Sequence, residues 1–195
     1  MLPSPSLVND HLLLRSVLDA FEVFQHQVEA HRALNREDLE RFTDFFRLFG
    51  DEYHAAKEET VLLPSLARSG VEWQHGALAQ SRREHRQQRY LVRVLSQLAK
   101  QEDAYGPEAL RRVASQARAF STHMRAHLNM EDDRLFPLMD GLSPEQREQL
   151  ENALDAFDDS PLSADALSHA RESVAALVAR YATRGPLCNI DCSAS

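Results

Sequence analysis

Two stretches of this chain carry the residue types that can hold a metal. One runs His54-Ala55-Ala56-Lys57-Glu58-Glu59-Thr60-Val61-Leu62-Leu63-Pro64, the other His127-Leu128-Asn129-Met130-Glu131-Asp132-Asp133-Arg134-Leu135-Phe136-Pro137. In both, a Glu follows the His by four, a Leu by eight and a Pro by ten. Positions i and i+4 share one face of an α-helix. Each stretch therefore offers an imidazole and a carboxylate side by side, a usable pair of ligands for a borderline cation. One such pair is weak evidence, because solvated helix faces carry them too. The repeat, with its trailing Leu and Pro, is much stronger.

Two further histidines lie in apolar stripes. His11 sits among Leu7, Leu14, Leu18, Phe21 and Val28, and His85 among Leu78, Ser81, Gln88, Val92, Leu95 and Ala99. The four inward histidines are separated by 43, 31 and 42 residues. The midpoint of each gap falls at or close to a turn signal: near Leu34-Asn35, at Ser69-Gly70 and at Gly106. In an antiparallel helical hairpin, residues equidistant from the turn stand at equal height. At about 1.5 Å per residue, His54 and His85 each stand roughly 22 Å from theirs. All four imidazoles therefore converge on one level of an all-α, up-down-up-down four-helix bundle. Glu58 and Glu131 lie one turn to the same side of that level. Six donors exceed the four that close a structural zinc site. They suit two metals sharing carboxylates, with iron preferred over manganese or zinc for a nitrogen and oxygen set without thiolate.

The elements that must position these donors follow from stripes and caps. Ser6 or Asn9 is expected to cap a first helix reaching about His31. A second helix runs from about Glu37 to Ala67, with Pro64 expected to kink it or loosen its last turns. A third spans about Trp73 to Gln101, and a fourth about Glu108 to Met139. Ser143-Pro144-Glu145-Gln146 reads as a capped helix start, giving a fifth helix to about Phe157. After an Asp158–Pro161 linker, a sixth runs from about Ala164 to Ala182. The expected organisation is a bundle over residues 1–141, a helical extension packed on it over 142–184, and a loose tail over 185–195.

On His11, His54-x-x-x-Glu58, His85 and His127-x-x-x-Glu131, with their Leu-Leu-Pro and Leu-Phe-Pro tails, the chain resembles the hemerythrin-like (HHE cation-binding) domain over roughly residues 7–140. The resemblance implies a four-helix bundle holding two non-haem iron ions with an oxo or hydroxo bridge. The four-His, two-Glu set is similar to a bacterial branch that includes di-iron proteins of iron–sulfur cluster repair. Oxygen-carrying members add a His-x-x-x-His pair on the third helix; here the positions four residues either side of His85 are Ser81 and Arg89.

Other residues carry less. For His123, one turn before His127, three roles stay open: a fifth nitrogen ligand, a group orienting a ligand, or a polar lining of the access path. Glu59, about 100° round from Glu58, is expected at the surface or beside a ligand. Tyr53 is expected in the core or a helix interface, and Met124 and Met130 in packing. His26, His31, His75 and His169 are expected at the surface. Cys188 and Cys192 lack the two-residue spacing of a redox pair and are expected in an inert tail. Ferritin-type sites use Glu-x-x-His, the opposite order and a different step from the repeated pair, and His-Glu-x-x-His, phosphate-loop and Gly-x-Ser-x-Gly patterns are absent.

The chain's net charge of −8 speaks against nucleic acid as a partner. No apolar run approaches the roughly 18 residues of a membrane span, and the N-terminal residues lack a signal-peptide pattern. A cytoplasmic location is expected. The functional expectation is a di-iron protein engaging a small diatomic or peroxide ligand (O2, NO or H2O2), in oxidative or nitrosative stress defence or iron homeostasis. The alternative is a sensor or storage protein without turnover. Residues 143–182 are the expected place for a homodimer or protein contact.

Overall fold

The computed structural model describes residues 4–31, 33–101 and 105–182. These form an all-helical bundle with no strand among the described residues. Helix α1 spans Pro5–His31. It begins ahead of the caps expected at Ser6 or Asn9, because Pro5 takes the first helical position, where its missing N–H costs nothing. The first bond is Val8 N–H to the Ser4 carbonyl, at 3.1 Å.

The second rod is continuous but changes its winding. It opens as α2 (Arg36–Phe45), where the Asn35 side chain accepts the Asp38 N–H. It continues as π-helix over Phe46–Ala55 and Glu58–Leu62, and closes as α3 (Leu63–Arg68). Of the two outcomes expected at Pro64, a kink or looser turns, the rod takes the second, as a wider turn just before the proline. Proline has no N–H and its ring crowds the carbonyl four residues back. With the turn opened, Leu63 N–H reaches five residues back to the Glu58 carbonyl.

The second copy of the motif does the same. After α4 (Gly76–Ala99), helix α5 covers Pro107–Met130. It passes into a π-turn over Glu131–Leu135 and a tight 3-10 turn over Phe136–Gly141. Phe136 N–H again reaches five back, to the Glu131 carbonyl. The repeat is therefore one of backbone winding as well as of residue type, and such π-turns gather at functional positions.

Ser143 caps α6 (Pro144–Asp158) with the reciprocal bonds its sequence foretells: its hydroxyl accepts the Gln146 N–H, and the Gln146 side chain accepts its own. Helix α7 runs Pro161–Arg180, starting earlier than expected because Pro161 fits the first turn. Residues 183–195, with Cys188 and Cys192, and the side chains of His31 and Leu167 lie outside the described residues.

Helix α1 packs on α5, α5 on α4, and α4 on the second rod, while α7 lies against α1 and the second rod. Two apolar clusters result. The larger contains Leu14, Phe21, Phe42, Phe46, Val92, Phe120 and Met124, with Phe46 and Phe120 ring centroids 4.6 Å apart. The smaller contains Leu7, Leu62, Leu78, Leu135, Phe136 and Leu154. On every rod the metal-ligand candidates fall between residues of these two clusters, so the polar layer is sealed from both ends. No helix among the described residues is long and apolar enough to cross a membrane.

Candidate metal centre

The six expected donors come together. His11, His54, Glu58 and Glu131 form one group of four, and Glu58, His85, His127 and Glu131 a second. Within each group the donor atoms lie within 4.8 Å of one another. All six side chains are buried. Both groups contain Glu58 and Glu131, and each glutamate divides its oxygens between them. Glu58 turns Oε1 towards His54 Nε2 (3.8 Å) and Oε2 towards His85 Nε2 (3.1 Å). Glu131 turns Oε2 towards His11 Nε2 (3.4 Å) and Oε1 towards His127 Nε2 (3.3 Å) and His85 Nε2 (3.6 Å).

These atoms are not satisfied by one another. Nε2 of His11, His54 and His127, both oxygens of Glu58 and Oε2 of Glu131 are buried without a hydrogen-bond partner among the described residues. Leaving so many polar atoms unpaired in one place is costly, and a cation between them removes the cost. Imidazole nitrogen and carboxylate oxygen are what a transition metal of intermediate softness takes.

Four carboxylates fix the imidazoles from behind. His11 Nδ1 donates to Asp132 at 2.7 Å, His54 Nδ1 to Asp10 at 3.3 Å, His85 Nδ1 to Glu59 at 2.9 Å and His127 Nδ1 to Glu84 at 3.0 Å. With one proton held on Nδ1, each ring can turn a bare Nε2 to a metal, the tautomer that ligation needs. Each of these carboxylates sits next in sequence to a donor residue on one rod and holds the histidine of another. Asp10 of α1 holds the second rod, Glu59 of the second rod holds α4, Glu84 of α4 holds α5, and Asp132, after α5, holds α1. The set closes into a ring around the bundle. Of the four, only Glu59 stood out in the sequence. The signal for the others was adjacency: an acid directly beside each of three donors.

Further groups anchor this ring. Lys57, fully buried, bonds Asp10 at 2.7 Å and Asp158 at the end of α6 at 2.9 Å, and the Tyr53 hydroxyl donates to Asp158 at 2.5 Å. Arg89 bridges Glu59 and Asp51. Of the two α4 positions four residues from His85, Arg89 therefore lies outside the donor layer. Ser81 lies within it, donating to Glu131 Oε1 at 3.0 Å. His123 is in neither group of four. Its Nε2 donates to the Glu84 carbonyl at 2.9 Å, and its ring lies parallel to that of His127, 6.3 Å away. His26, His75 and His169 are exposed.

Burial would push the His11 imidazole down, but the Asp132 and Glu131 carboxylates outweigh it and raise its pKa to about 9. His85 is likewise held well above the ordinary value, against burial, by Glu131, Glu58 and Glu59. Burial pushes Glu131 up, yet His127, His11 and His85 together hold it well below the carboxylate range. Without a cation, then, the layer balances protonated imidazole against carboxylate, and a metal must displace those protons.

Residues 3–139 match the hemerythrin HHE cation-binding domain. The chain belongs to the hemerythrin family. No curated protein and no solved structure matches it. All six clustered donors fall within the hemerythrin match, as do the four carboxylates behind the histidines. Helices α6 and α7 fall beyond it. A cation-binding domain agrees with the two His/Glu groups.

Proposed function

We propose that this hemerythrin-family protein carries a di-iron centre of the four-His, two-Glu type. Its four main rods would run up-down-up-down, with residues 142–184 as an extension on them. His11 and His54 would hold one iron, His85 and His127 the other, and Glu58 and Glu131 would span both. The observation that carries this reading is the division of each glutamate's two oxygens between the two groups. A single closed site would have no use for it. Bound iron would supply an open coordination position for a small ligand. The chain would orient the imidazoles, keep water out with two apolar clusters, and hold each Nδ1 proton on a carboxylate.

The function we infer is the binding or processing of O2, NO or a peroxide in the cytoplasm, in oxidative or nitrosative stress defence or iron homeostasis. One observation favours a second reading, sensing without turnover. The Asp10 carboxylate that orients His54 is tied through Lys57 to Asp158, in the helices beyond the hemerythrin match. Metal content and the optical spectrum of protein purified without added metal test the centre. Two irons per chain with oxo-to-iron charge-transfer bands are expected. One metal or none, with a featureless spectrum, would reject it.

A further inference from the structure

One buried polar side chain near the centre has no task in this account. Gln88 lies three residues after His85, on the same face of α4. It is 1% exposed, and neither its amide nitrogen nor its amide oxygen has a hydrogen-bond partner among the described residues. A wholly unpaired buried amide is costly, and an apolar residue of similar size would avoid the cost.

Its surroundings place it on the side of the histidine layer away from the glutamates. Glu58 is four residues after His54, whereas Gly50 is four before it. A Cβ on Gly50 would stand 3.1 Å from Gln88 Nε2 and 3.7 Å from Leu14 Cδ2. Gly50 has an ordinary helical backbone, so the turn does not require glycine there; what its missing side chain leaves room for is the Gln88 amide. Leu14, three residues after His11, and Met124, three before His127, are fully buried at the same remove from their histidines. The carboxylates approach the donors from one side, and the unpaired Gln88 amide lies on the other.

An amide offers a proton and a lone pair together. O2 and NO can only accept. Hydrogen peroxide and organic hydroperoxides both donate and accept, so they alone among the ligands considered satisfy both ends of this amide. We propose that Gln88 is a specificity-determining residue that selects a hydroperoxide at the metal centre, with Gly50 clearing the space for its amide. This rests on the di-iron reading above and narrows its ligand class.

The test compares iron-loaded wild type with Gln88→Leu, and with Gln88→Met as an unbranched second variant. Hydrogen peroxide consumption gives kcat and KM, an optical titration of the ferrous protein gives the NO affinity, and thermal unfolding of the metal-free protein gives stability. Loss of two hydrogen bonds to peroxide but only one to NO is expected to raise the peroxide KM at least about fivefold more than it weakens NO. Iron content should hold, and the melting temperature should rise by about 3 °C, because an unpaired buried amide has gone. Equal effects on peroxide and NO, or none on either, or a fall in melting temperature in both variants, would overturn the assignment. A wild type that takes up no iron would instead defeat the metal centre, and this inference with it.

Discussion

The ammonium of Lys57, fully buried, stands 2.7 Å from Asp10 Oδ2, the atom that also receives His54 Nδ1 at 3.3 Å. One carboxylate thus serves a structural cation and a metal-ligand candidate at once. Removing Lys57 leaves the buried Asp10 carboxylate without its ammonium partner, in a site where charge is expensive. Lys57→Met is expected to destabilise the fold by about 3 kcal/mol in urea unfolding. Because Asp158 loses the Lys57 ammonium too, the loss should shrink in the double variant with Asp158→Asn.

The carboxylates behind the histidines should matter for metal affinity rather than for folding. Glu84→Gln keeps the shape and removes the charge that fixes the His127 tautomer. Chelator competition is expected to show iron affinity falling about 10- to 100-fold, with unchanged helical circular dichroism. Asp132→Asn should do the same through His11. Undiminished affinity in both would mean that the ring merely decorates the bundle.

The pH dependence follows from the paired shifts. The pKa of His11 in the metal-free fold is about 9 against an ordinary 6.5. Its contribution to stability is therefore complete below about 6.5 and is lost as pH rises through about 9. His85 acts in the same direction. Glu131, depressed in the fold, contributes above its ordinary 4.5 and loses that contribution as pH falls. Metal binds the neutral imidazoles, so the gap in melting temperature between loaded and metal-free protein should widen from pH 6 to pH 9. A gap that narrows over this interval would contradict the proton balance described for the donor layer.

The helices beyond the family match are expected to be needed for the fold. Asp38 is buried at the start of the second rod and receives Arg180 at 2.5 Å and the Tyr181 hydroxyl at 2.5 Å. That carboxylate, after burial, pushes the Tyr181 phenol up to about 12. Tyr181→Phe should cost about 1–3 kcal/mol, the range for a buried charged acceptor losing a donor. A chain ended after Gly141 should lose cooperative unfolding, since Asp38 and Lys57 would lose partners together.

Much of this architecture was legible in the residues. The placing of His11, His54, His85 and His127 about the turns foretold that they would gather, and they lie in two groups that share Glu58 and Glu131. The start of α6 was legible because Ser143 and Gln146 cap locally. What the periodicity could not show was winding. Pro64 read as a kink or a loosening of the last turns, because a 3.6-residue template has no place for the π-turn that absorbs it. Asp10, Glu84 and Asp132 were invisible for a different reason. A charged residue beside a helical donor reads as solvated surface until another rod is folded against it.

The ring of carboxylates has a consequence for how such a site tolerates change. Eight of its ten side chains arrive as four adjacent pairs, Asp10-His11, Glu58-Glu59, Glu84-His85 and Glu131-Asp132, each split between gripping and bracing. Slide one rod by a single residue and a brace rotates into the grip's place while its neighbour swings outward, so a frame error on any rod damages two corners at once. The pocket carries its own check on alignment.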